Sequence, residues 1–450
     1  MEATNEVKVQ RLHDHKFFFI AVGLSHTLFC AGIIFGWSSL LAIFEAEGVY
    51  GGKNEGKFTA VFTYGVIANY LSNLPCGALL DRFGPRTTGI VAAIGLGLGA
   101  ALCSIATIDS NALIAGFFFI GFFGPCVQLP TLQLSCLFPG YNHLIMMMQA
   151  AAFDAGSVVF FIARLEYKYG GVTSGEFFGM YLLVPAYVLL IAYFCWPAET
   201  LNNDKEEVDG EGDTEAAPLF AGDRDAAAEP VSETTRERLT QWLTPAPNKR
   251  NLRGASIEEI FTSREFWFLA AFAGVNIGKL NFIINTIDDQ LQDVLPDDAS
   301  KLSWDFGWML PLGFLIIPVG SYLLSLRGVA AFQLANILGI VYGFALNSTT
   351  PNVQLYVTFP LVALSRQLVY GCVFFTISEL YGYSHFGVTL GALNVVVTLF
   401  TALMYPVATA CETSSSWVIA NDVLACATIP LLALAPFAVT FARDRKTRAA

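Results

Sequence analysis

Long apolar runs alternate with short polar connectors along almost the whole chain. Each run comes close to the roughly 20 residues that a helix needs to cross a hydrocarbon core about 30 Å thick. The pattern predicts twelve membrane-spanning helices, called spans 1 to 12 in chain order. Their predicted ranges are 17–44, 58–80, 87–105, 111–138, 143–165, 175–196, 266–286, 304–325, 328–346, 353–380, 384–410 and 415–441.

The spans are expected to be helices because lipid offers no partner for a free backbone N–H or C=O group. None of the runs has the short alternating pattern of strands in a membrane barrel. The predicted fold class is therefore an all-α integral membrane protein. The first run is too long for the apolar core of a cleaved signal peptide and lacks a clean cleavage site, so we interpret it as span 1.

One long polar segment, 197–264, interrupts the apolar pattern, with an acidic part followed by a more basic part. Its acidic part has few aromatic residues and many Ala, Gly, Asp and Glu, a composition that predicts disorder. Near its end, Ser256 and Glu259 have the spacing of a capping box and predict a helix that leads into span 7.

This linker divides the spans into two sets of six, as in a transporter built from two pseudo-equivalent bundles. The predicted organisation is a cytoplasmic N-terminus over 1–16, a six-helix bundle over 17–196, a cytoplasmic linker over 197–264, a second six-helix bundle over 265–441 and a cytoplasmic C-terminus over 442–450.

Lys and Arg residues gather on one side of the predicted membrane. That side holds the two termini, the linker and the connectors after spans 2 and 8, whereas the other connectors carry only Lys53, Lys57, Arg164, Lys168 and Lys301. The positive-inside rule then places both termini and the linker in the cytosol.

The sequon at Asn347 falls in an outside connector and is a predicted glycosylation site. We expect the plasma membrane as the location, with an internal organelle as the alternative.

Composition narrows the function classes. The chain is 54% hydrophobic and 14% charged, and most of its net charge of −12 lies in the linker, so no basic patch indicates nucleic-acid binding. The nine cysteines lack metal-like spacing and are interpreted as small buried hydrophobic residues, with no metal or cofactor expected. Neither a phosphate-binding G-x-x-x-x-G-K-[ST] motif nor a catalytic motif such as H-E-x-x-H is present, so an enzyme is not expected.

The connector between spans 2 and 3 reads GALLDRFGPR and concentrates unusual residues. Gly77 permits a close approach of two helices, and Gly84 can adopt the positive φ of a tight turn. Asp81 can pair with an arginine or cap the N-terminus of a neighbouring helix, while Arg82 and Arg86 supply positive charge. We predict that these five residues form a conformational latch. The plain alternative is a topogenic turn that contains arginine.

The pattern G-x-L-x-D-R-x-G-x-R in this connector resembles the signature of the major facilitator superfamily. The resemblance implies two six-helix bundles, a central cavity lined by spans 1, 4, 7 and 10, and a latch that holds the outward-facing state and breaks as the halves rock. The matching turn of the second half, 320–328, has no acid at the equivalent position, so a symmetric second latch is not expected.

Several polar residues fall at membrane depth, where an ionisable side chain costs at least about 2.5–3.5 kcal/mol and should face a cavity or a partner. Those predicted to bind substrate are Arg366, Asp154, Ser38, Ser39, Gln128, Thr131, Asn276, Lys279 and Asn281. Arg366 would hold a carboxylate, and Asp154 would receive an ammonium group. Alternatively, Asp154 pairs with Arg366 or Lys279 and only joins helices.

Two further features bear on a binding site. His26 is interpreted as a helix-packing residue, with proton handling or ligand binding as the alternative. Broken helices expose backbone groups to ligands, and Gly and Pro mark the places where breaks are expected. The candidate breaks are Gly32 and Gly36 in span 1, Gly124, Pro125 and Pro130 in span 4, and Tyr405 and Pro406 in span 11.

A narrower resemblance rests on stretches such as FGWSSL, GPCVQLPTLQL, FCWPAE, NIGKLN, RQLVYG and HFGVTLGAL. They are similar to the large neutral amino acid transporters of solute carrier family 43 and their fungal and protist relatives. Membership implies sodium-independent facilitated transport of neutral amino acids by alternating access. Asp154 and Lys279 stand where uncharged residues are expected, so a cationic amino acid or proton coupling stays open, as do a monocarboxylate carrier and a non-transporting nutrient sensor.

Overall fold

The computed structural model describes residues 2–51, 55–106, 111–138, 140–199, 252–325, 329–414 and 416–438. The described residues are helical throughout, joined by short turns. The acidic part of the linker, for which disorder was predicted, and the C-terminal tail lie outside the described residues.

The first half begins with a helix over Glu2–Asp14 and continues into six spans. Span 1 consists of Lys16–His26, Thr27–Ala31, Ile33–Gly36 and Trp37–Ala46; spans 2 and 3 of Glu55–Ser104; span 4 of Asn111–Leu132 and Gln133–Leu137; span 5 of Asn142–Ala155, Val158–Leu165 and Glu166–Gly170; and span 6 of Ser174–Tyr181 and Leu183–Phe194.

The second half repeats this organisation after a short helix over Ile257–Thr262. Span 7 is Arg264–Val294; span 8 is Ala299–Met309, Leu310–Ile316 and Ile317–Ser325; span 9 is Val329–Ala345; span 10 is Pro351–Val353, Gln354–Thr358 and Phe359–Tyr381; span 11 is Phe386–Ser414; and span 12 is Trp417–Cys426 and Ile429–Ala438.

The number of spans agrees with the sequence pattern. In the described part of the chain, nine helices are long and apolar enough to cross a membrane, and Lys16–Ala31 and Val329–Ala345 are shorter apolar helices. The longest of the nine, Ala60–Ser104, is interrupted at Gly84, where φ is 76° and ψ is 175°. It therefore comprises two spans, 2 and 3. Counting that helix twice yields twelve spans.

Two seams join the halves. In the first, span 2 packs along span 11 so closely that a Cβ at Gly77 would lie 2.1 Å from the Gly387 carbonyl oxygen. In the second, span 5 packs against spans 8 and 10, and the Met147 side chain lies between Gly320 and Gly371. Small residues therefore permit backbone contact where the two halves meet.

Span 1 is broken where Gly32 and Gly36 predict a break. A π-helical turn over Thr27–Ala31 is followed by a 3-10 turn over Ile33–Gly36. By contrast, the α-helix of span 4 continues through both prolines to Leu132, and span 11 continues through Pro406, so the predicted breaks there are wrong. Neighbouring helices can satisfy the backbone groups that a proline frees, which is why prolines are tolerated inside spans.

Two other predictions have clear outcomes. The capping box before span 7 is confirmed: Ser256 Oγ accepts from the Glu259 N–H at 3.3 Å, and Glu259 Oε2 accepts from the Ser256 N–H at 2.9 Å. The interpretation of the cysteines is wrong for Cys76 and Cys126, which form a disulfide between spans 2 and 4. Sequence spacing could not reveal this pair because the two residues meet only after the helices pack.

The close contact of span 1 with span 5 generates a stability prediction. A Cβ at Gly32 would lie 1.8 Å from the Phe153 carbonyl oxygen, so Gly32→Ala should force the two spans apart and destabilise the protein by about 1–3 kcal/mol. The measurement is the melting temperature of the purified protein in detergent. The control is Gly97→Ala, where the nearest neighbouring atom would be 3.7 Å away. Equal melting temperatures for the two variants would contradict the expected steric conflict.

Candidate functional site

A cavity of about 330 Å³, called the main cavity, lies between spans 1, 2, 7 and 11. Span 1 contributes Phe35 and span 2 contributes residues between Phe62 and Tyr70, whereas spans 7 and 11 contribute residues around Asn281 and Thr401. The second half of span 1, which follows the break at Gly32, therefore reaches the cavity.

The lining of the main cavity is aromatic and neutral. Phe35, Phe62 and Phe282 supply aromatic surface. The polar lining groups are amides and hydroxyls, contributed by Thr63, Tyr70, Asn281, Asn285, Thr398 and Thr401. None of the described residues that line this cavity carries a charge, so the surface favours a ligand with an apolar body and a few hydrogen-bonding groups.

The floor of the main cavity is a hydrogen-bonded group formed by four spans. Asn281 Nδ2 donates to the Tyr70 hydroxyl at 2.9 Å and to Thr401 Oγ1 at 3.1 Å. The Tyr70 and Tyr370 hydroxyl oxygens lie 3.1 Å apart. Because Tyr70 belongs to the first half and the other three residues to the second, this group joins the two halves at the level of the cavity.

A buried ion pair lies directly behind this floor. Arg366 Nε is 3.0 Å from Asp154 Oδ1, and each residue is only 1% exposed. The guanidinium carbon lies 5.0 Å from the centre of the Phe35 ring, and Phe35 also lines the main cavity. The Nη1 and Nη2 atoms of Arg366 have no acceptor with hydrogen-bond geometry among the described residues.

Two of the predicted substrate residues, Asp154 and Arg366, therefore contact each other directly, as in the alternative in which Asp154 joins helices. Asp154 pairs with Arg366 across the two halves, since span 5 belongs to the first and span 10 to the second. Opposite charges that meet in a low-dielectric interior relieve part of each other's desolvation penalty. The pair does not line the main cavity, from which Phe35 separates it.

Lys279 and Asn276 face away from the main cavity. Lys279 Nζ donates to the Gly339 carbonyl at 2.8 Å and lies 4.6 Å from the centre of the Tyr342 ring. Asn276 Nδ2 donates to Asn336 Oδ1 at 3.1 Å, also in span 9. Helical geometry explains the separation from Asn281: residues 276 and 279 share one face, whereas 281 lies about 200° around the helix from 279.

The remaining predicted substrate residues are dispersed. Thr131 packs between spans 1 and 5, where its carbonyl accepts from Gln149 Nε2 at 3.3 Å. Gln128 lines a second cavity below the floor. Ser39 is buried and does not line the main cavity, and the side chain of Ser38 lies outside the described atoms. Of the nine predicted residues, Asn281 is the one that contacts the main cavity in the described structure.

The predicted latch residues lie at one end of the bundle, called the latch end. Asp81 accepts hydrogen bonds from the backbone N–H groups of Gly387 at 3.2 Å and Val388 at 2.9 Å, both in the first turn of span 11. A carboxylate at a helix N-terminus satisfies free N–H groups and interacts favourably with the helix dipole. The contact crosses from the first half to the second.

The other latch residues hold the connector in place. Gly84 adopts the predicted positive φ, and a Cβ there would lie 1.9 Å from the Ala198 carbonyl oxygen. The guanidinium of Arg86 lies 4.7 Å from the centre of the Tyr193 ring, and that of Arg82 lies 5.4 Å from the Phe83 ring. Neither arginine crosses to the second half through these contacts.

Two predicted positions outside the cavity also have defined surroundings. His26 packs edge-on against Tyr187 at 5.0 Å, as expected of a packing residue, although neither ring nitrogen has a hydrogen-bond partner among the described residues. Asn347 Nδ2 donates to Asp422 Oδ1 at 2.8 Å. The nitrogen to which a glycan would be attached is thus engaged with span 12, and glycosylation stays a prediction.

Sequence reasoning missed Phe35, Tyr70, Thr401 and Tyr370, which form the cavity and its floor. A signal was present for Tyr70, because the stretch ANYLSN places three further polar residues in an otherwise apolar span. Spans 2 and 11 supply much of the lining, although only spans 1, 4, 7 and 10 were expected to line the central cavity.

Comparison with known proteins agrees with this architecture. The family model of the Major Facilitator Superfamily matches residues 22–405. A solved structure of the transporter FucP in the outward conformation superposes with a TM-score of 0.61 at 12% identity, covering 95% of this chain and 100% of that one. At this identity the likeness shows the fold alone.

Curated relatives include several transporters. Protein FMP42 of Saccharomyces cerevisiae is 26% identical over 83% of this chain and 84% of its own length. Equilibrative nucleobase transporter 1 of Bos taurus is 23% identical over 87% of this chain and 88% of its own. Large neutral amino acids transporter small subunit 3 of Mus musculus is 23% identical over 45% of this chain and 40% of its own.

The predicted fold class of twelve helices in two six-helix bundles is confirmed by the family match and the structural likeness. The members of this family and the structural neighbours are transporters, which agrees with the expectation that the protein is not an enzyme. The chain belongs to the major facilitator superfamily and is a multi-pass integral membrane transporter.

Proposed function

We propose that the protein is a secondary carrier that moves large neutral amino acids by alternating access, as sodium-independent facilitated transport. The observation that carries the proposal is the Arg366–Asp154 ion pair, buried one side chain behind a cavity whose described lining is uncharged. The similarity to a large neutral amino acids transporter supports the same substrate class.

A zwitterionic ligand matches this pair in charge. An amino acid carries a carboxylate, which can bind Arg366, and an ammonium group, which can bind Asp154. When the ligand separates the two side chains, each buried charge keeps an opposite partner and the net charge of the site stays zero. The exchange avoids the large penalty of leaving a single charge unpaired in a low-dielectric interior.

The lining of the main cavity suits the side chain of such a ligand. Phe35, Phe62 and Phe282 offer apolar contact to a large aliphatic or aromatic group. A cationic side chain would need a further carboxylate, and the described lining contains none. A monocarboxylate would bind Arg366 but leave Asp154 without a cation, so both alternatives fit less well.

The proposed orientation places the latch end in the cytosol, because the positively charged connectors lie there. The main cavity lies further from the latch end than Tyr70, because its lining residues in span 2 run from Phe62 to Tyr70. In this arrangement the contact of Asp81 with span 11 holds the cytosolic side closed. The conformation is then the outward-facing one, and transport requires that contact to break.

The first test removes both charges of the pair. Arg366→Gln alone leaves Asp154 buried and unpaired, which should destabilise the protein by about 3–5 kcal/mol. The double variant Arg366→Gln with Asp154→Asn should restore folding. We expect its exchange of labelled leucine in proteoliposomes to fall by about 100-fold or more, since two charged contacts worth about 1.5–3 kcal/mol each are lost.

The control also removes one positive and one negative charge, but at exposed positions near the start of span 8, as Lys301→Gln with Asp297→Asn. This variant should transport leucine at the unmodified rate. If the folded double variant at positions 366 and 154 also transports normally, the pair only joins helices and does not bind the amino acid.

A nucleobase is the second candidate substrate. The amides of Asn281 and Asn285 and the aromatic rings of the lining can bind a flat, uncharged heterocycle without use of the ion pair. The similarity to an equilibrative nucleobase transporter over most of both chains favours this alternative.

A competition panel separates the two candidates. Labelled leucine uptake is measured against unlabelled neutral amino acids, cationic amino acids and nucleobases, at two pH values. We expect large neutral amino acids to compete and nucleobases to have no effect, since nucleobases lack the two charges. Uptake of labelled adenine instead of leucine, inhibited by unlabelled nucleobases but not by amino acids, would assign the cavity to nucleobases, and a pH-dependent rate would indicate proton coupling.

The latch generates a kinetic prediction. Asp81→Asn keeps one carbonyl oxygen but removes the negative charge that the N-terminus of span 11 favours, a loss of about 0.3–1 kcal/mol or more. With the latch weakened, the cytosolic side should close more slowly in each cycle, so turnover should fall, while the KM for leucine changes little because Asp81 does not line the main cavity. Initial rates over a range of leucine concentrations give both values. Asp297→Asn is the control, and an unchanged turnover number for Asp81→Asn would contradict the latch.

A further inference from the structure

A second, smaller cavity of about 20 Å³, called the small cavity, lies below the floor of the main cavity. The residues that line it lie about one helical turn further toward the latch end: Asn73 follows Tyr70 in span 2, Ile277 precedes Asn281 in span 7, and Asn394 precedes Thr398 in span 11. The two cavities are therefore stacked along the axis of the bundle.

Tyr70 separates the two cavities. Among the described residues it is the one that lines both of them. Its hydroxyl lies 3.1 Å from that of Tyr370 and accepts from Asn281 Nδ2 at 2.9 Å, and both partners belong to the second half. Tyr70 is also only 3% exposed.

The small cavity is lined by polar groups that could continue a path for solute from the main cavity toward the latch end. Amide side chains line it from three spans, with Asn73 in span 2, Gln128 in span 4 and Asn394 in span 11. Gln128 Nε2 is buried and has no hydrogen-bond partner among the described residues. A volume of about 20 Å³ holds about one water molecule, so a larger solute can enter only when the surrounding spans separate.

We propose that Tyr70 is a gating residue, whose hydrogen bonds to Tyr370 and Asn281 close the route between the main cavity and the small cavity. When the halves rock, spans 2 and 10 separate, the hydroxyl contact breaks and the small cavity widens into the path toward the latch end. The gate differs from the latch at Asp81 because it lies at the substrate cavity itself and is built from neutral hydroxyl and amide groups.

The test measures how fast a membrane-impermeant thiol reagent, applied from the side opposite the latch end, labels a cysteine in each cavity. Cys426 is exposed and Cys195 is half-buried, so both are first replaced by serine. Thr398→Cys then reports on the main cavity and Asn394→Cys on the small cavity. We expect rapid labelling of Thr398→Cys and slow labelling of Asn394→Cys while Tyr70 is present.

Substitution of Tyr70 should open the small cavity. Tyr70→Ala should accelerate labelling of Asn394→Cys at least tenfold, and Tyr70→Phe, which loses only the hydroxyl, should accelerate it severalfold. The matched control is Tyr64→Ala on the same span, because Tyr64 is 51% exposed and lines neither cavity. Labelling of Thr398→Cys should stay constant in all variants and shows that they are folded.

The proposal is overturned if Asn394→Cys is labelled as fast as Thr398→Cys in the presence of Tyr70, or if neither substitution of Tyr70 changes the labelling rate. If Asn394→Cys does not accumulate in the membrane, Asn73→Cys on the facing span takes its place under the same criteria. The inference rests on the carrier function but on no particular substrate. Labelling needs no substrate, so its failure can be distinguished from a failure of the amino acid proposal.

Discussion

The absence of water from the bilayer core is the constraint on which the rest of this structure depends, because a backbone group or a charged side chain there needs a partner within the protein. The buried side chains show the consequence. Arg366 meets Asp154, Lys279 meets a backbone carbonyl of span 9, and the Tyr70 hydroxyl meets Tyr370 and Asn281. Each of these contacts joins two spans, so the same requirement that hides polar groups also fixes which helices are neighbours.

The halves meet through close backbone contacts at glycines and through polar side-chain contacts. Where glycines face each other, as Gly77 and Gly387 do, the backbones of two helices are in direct contact. Polar contacts at the cavity floor and at Asp81 are few and neutral or singly charged, so they can break and form again at modest free energy. In the proposed cycle, close packing provides the geometry of the closed state, and the polar contacts between the halves, the Arg366–Asp154 pair among them, must break before it opens.

Much of the fold could be predicted from the sequence. The length and spacing of the apolar runs predicted twelve spans, because the thickness of the membrane sets the length of a helix that crosses it. The linker divided them six and six, and the connector around Asp81 resembled a family signature. Local chemistry was also sufficient for the capping box at Ser256, since it depends on neighbouring residues alone. Glycine marked the break in span 1 at Gly32, where span 5 packs closely against the backbone.

The candidate site was predictable only in part. The sequence alone determined which residues are polar at membrane depth, and therefore that Arg366, Asp154 and Lys279 need partners. Only the tertiary structure decided the partners: Asp154 pairs with Arg366 rather than Lys279, Cys76 bonds to Cys126, and Tyr70 rather than Lys279 borders the cavity. The physical reason is that a side chain's partner depends on the rotation of each helix about its axis and on its neighbours, and both are fixed by packing between spans far apart in the chain.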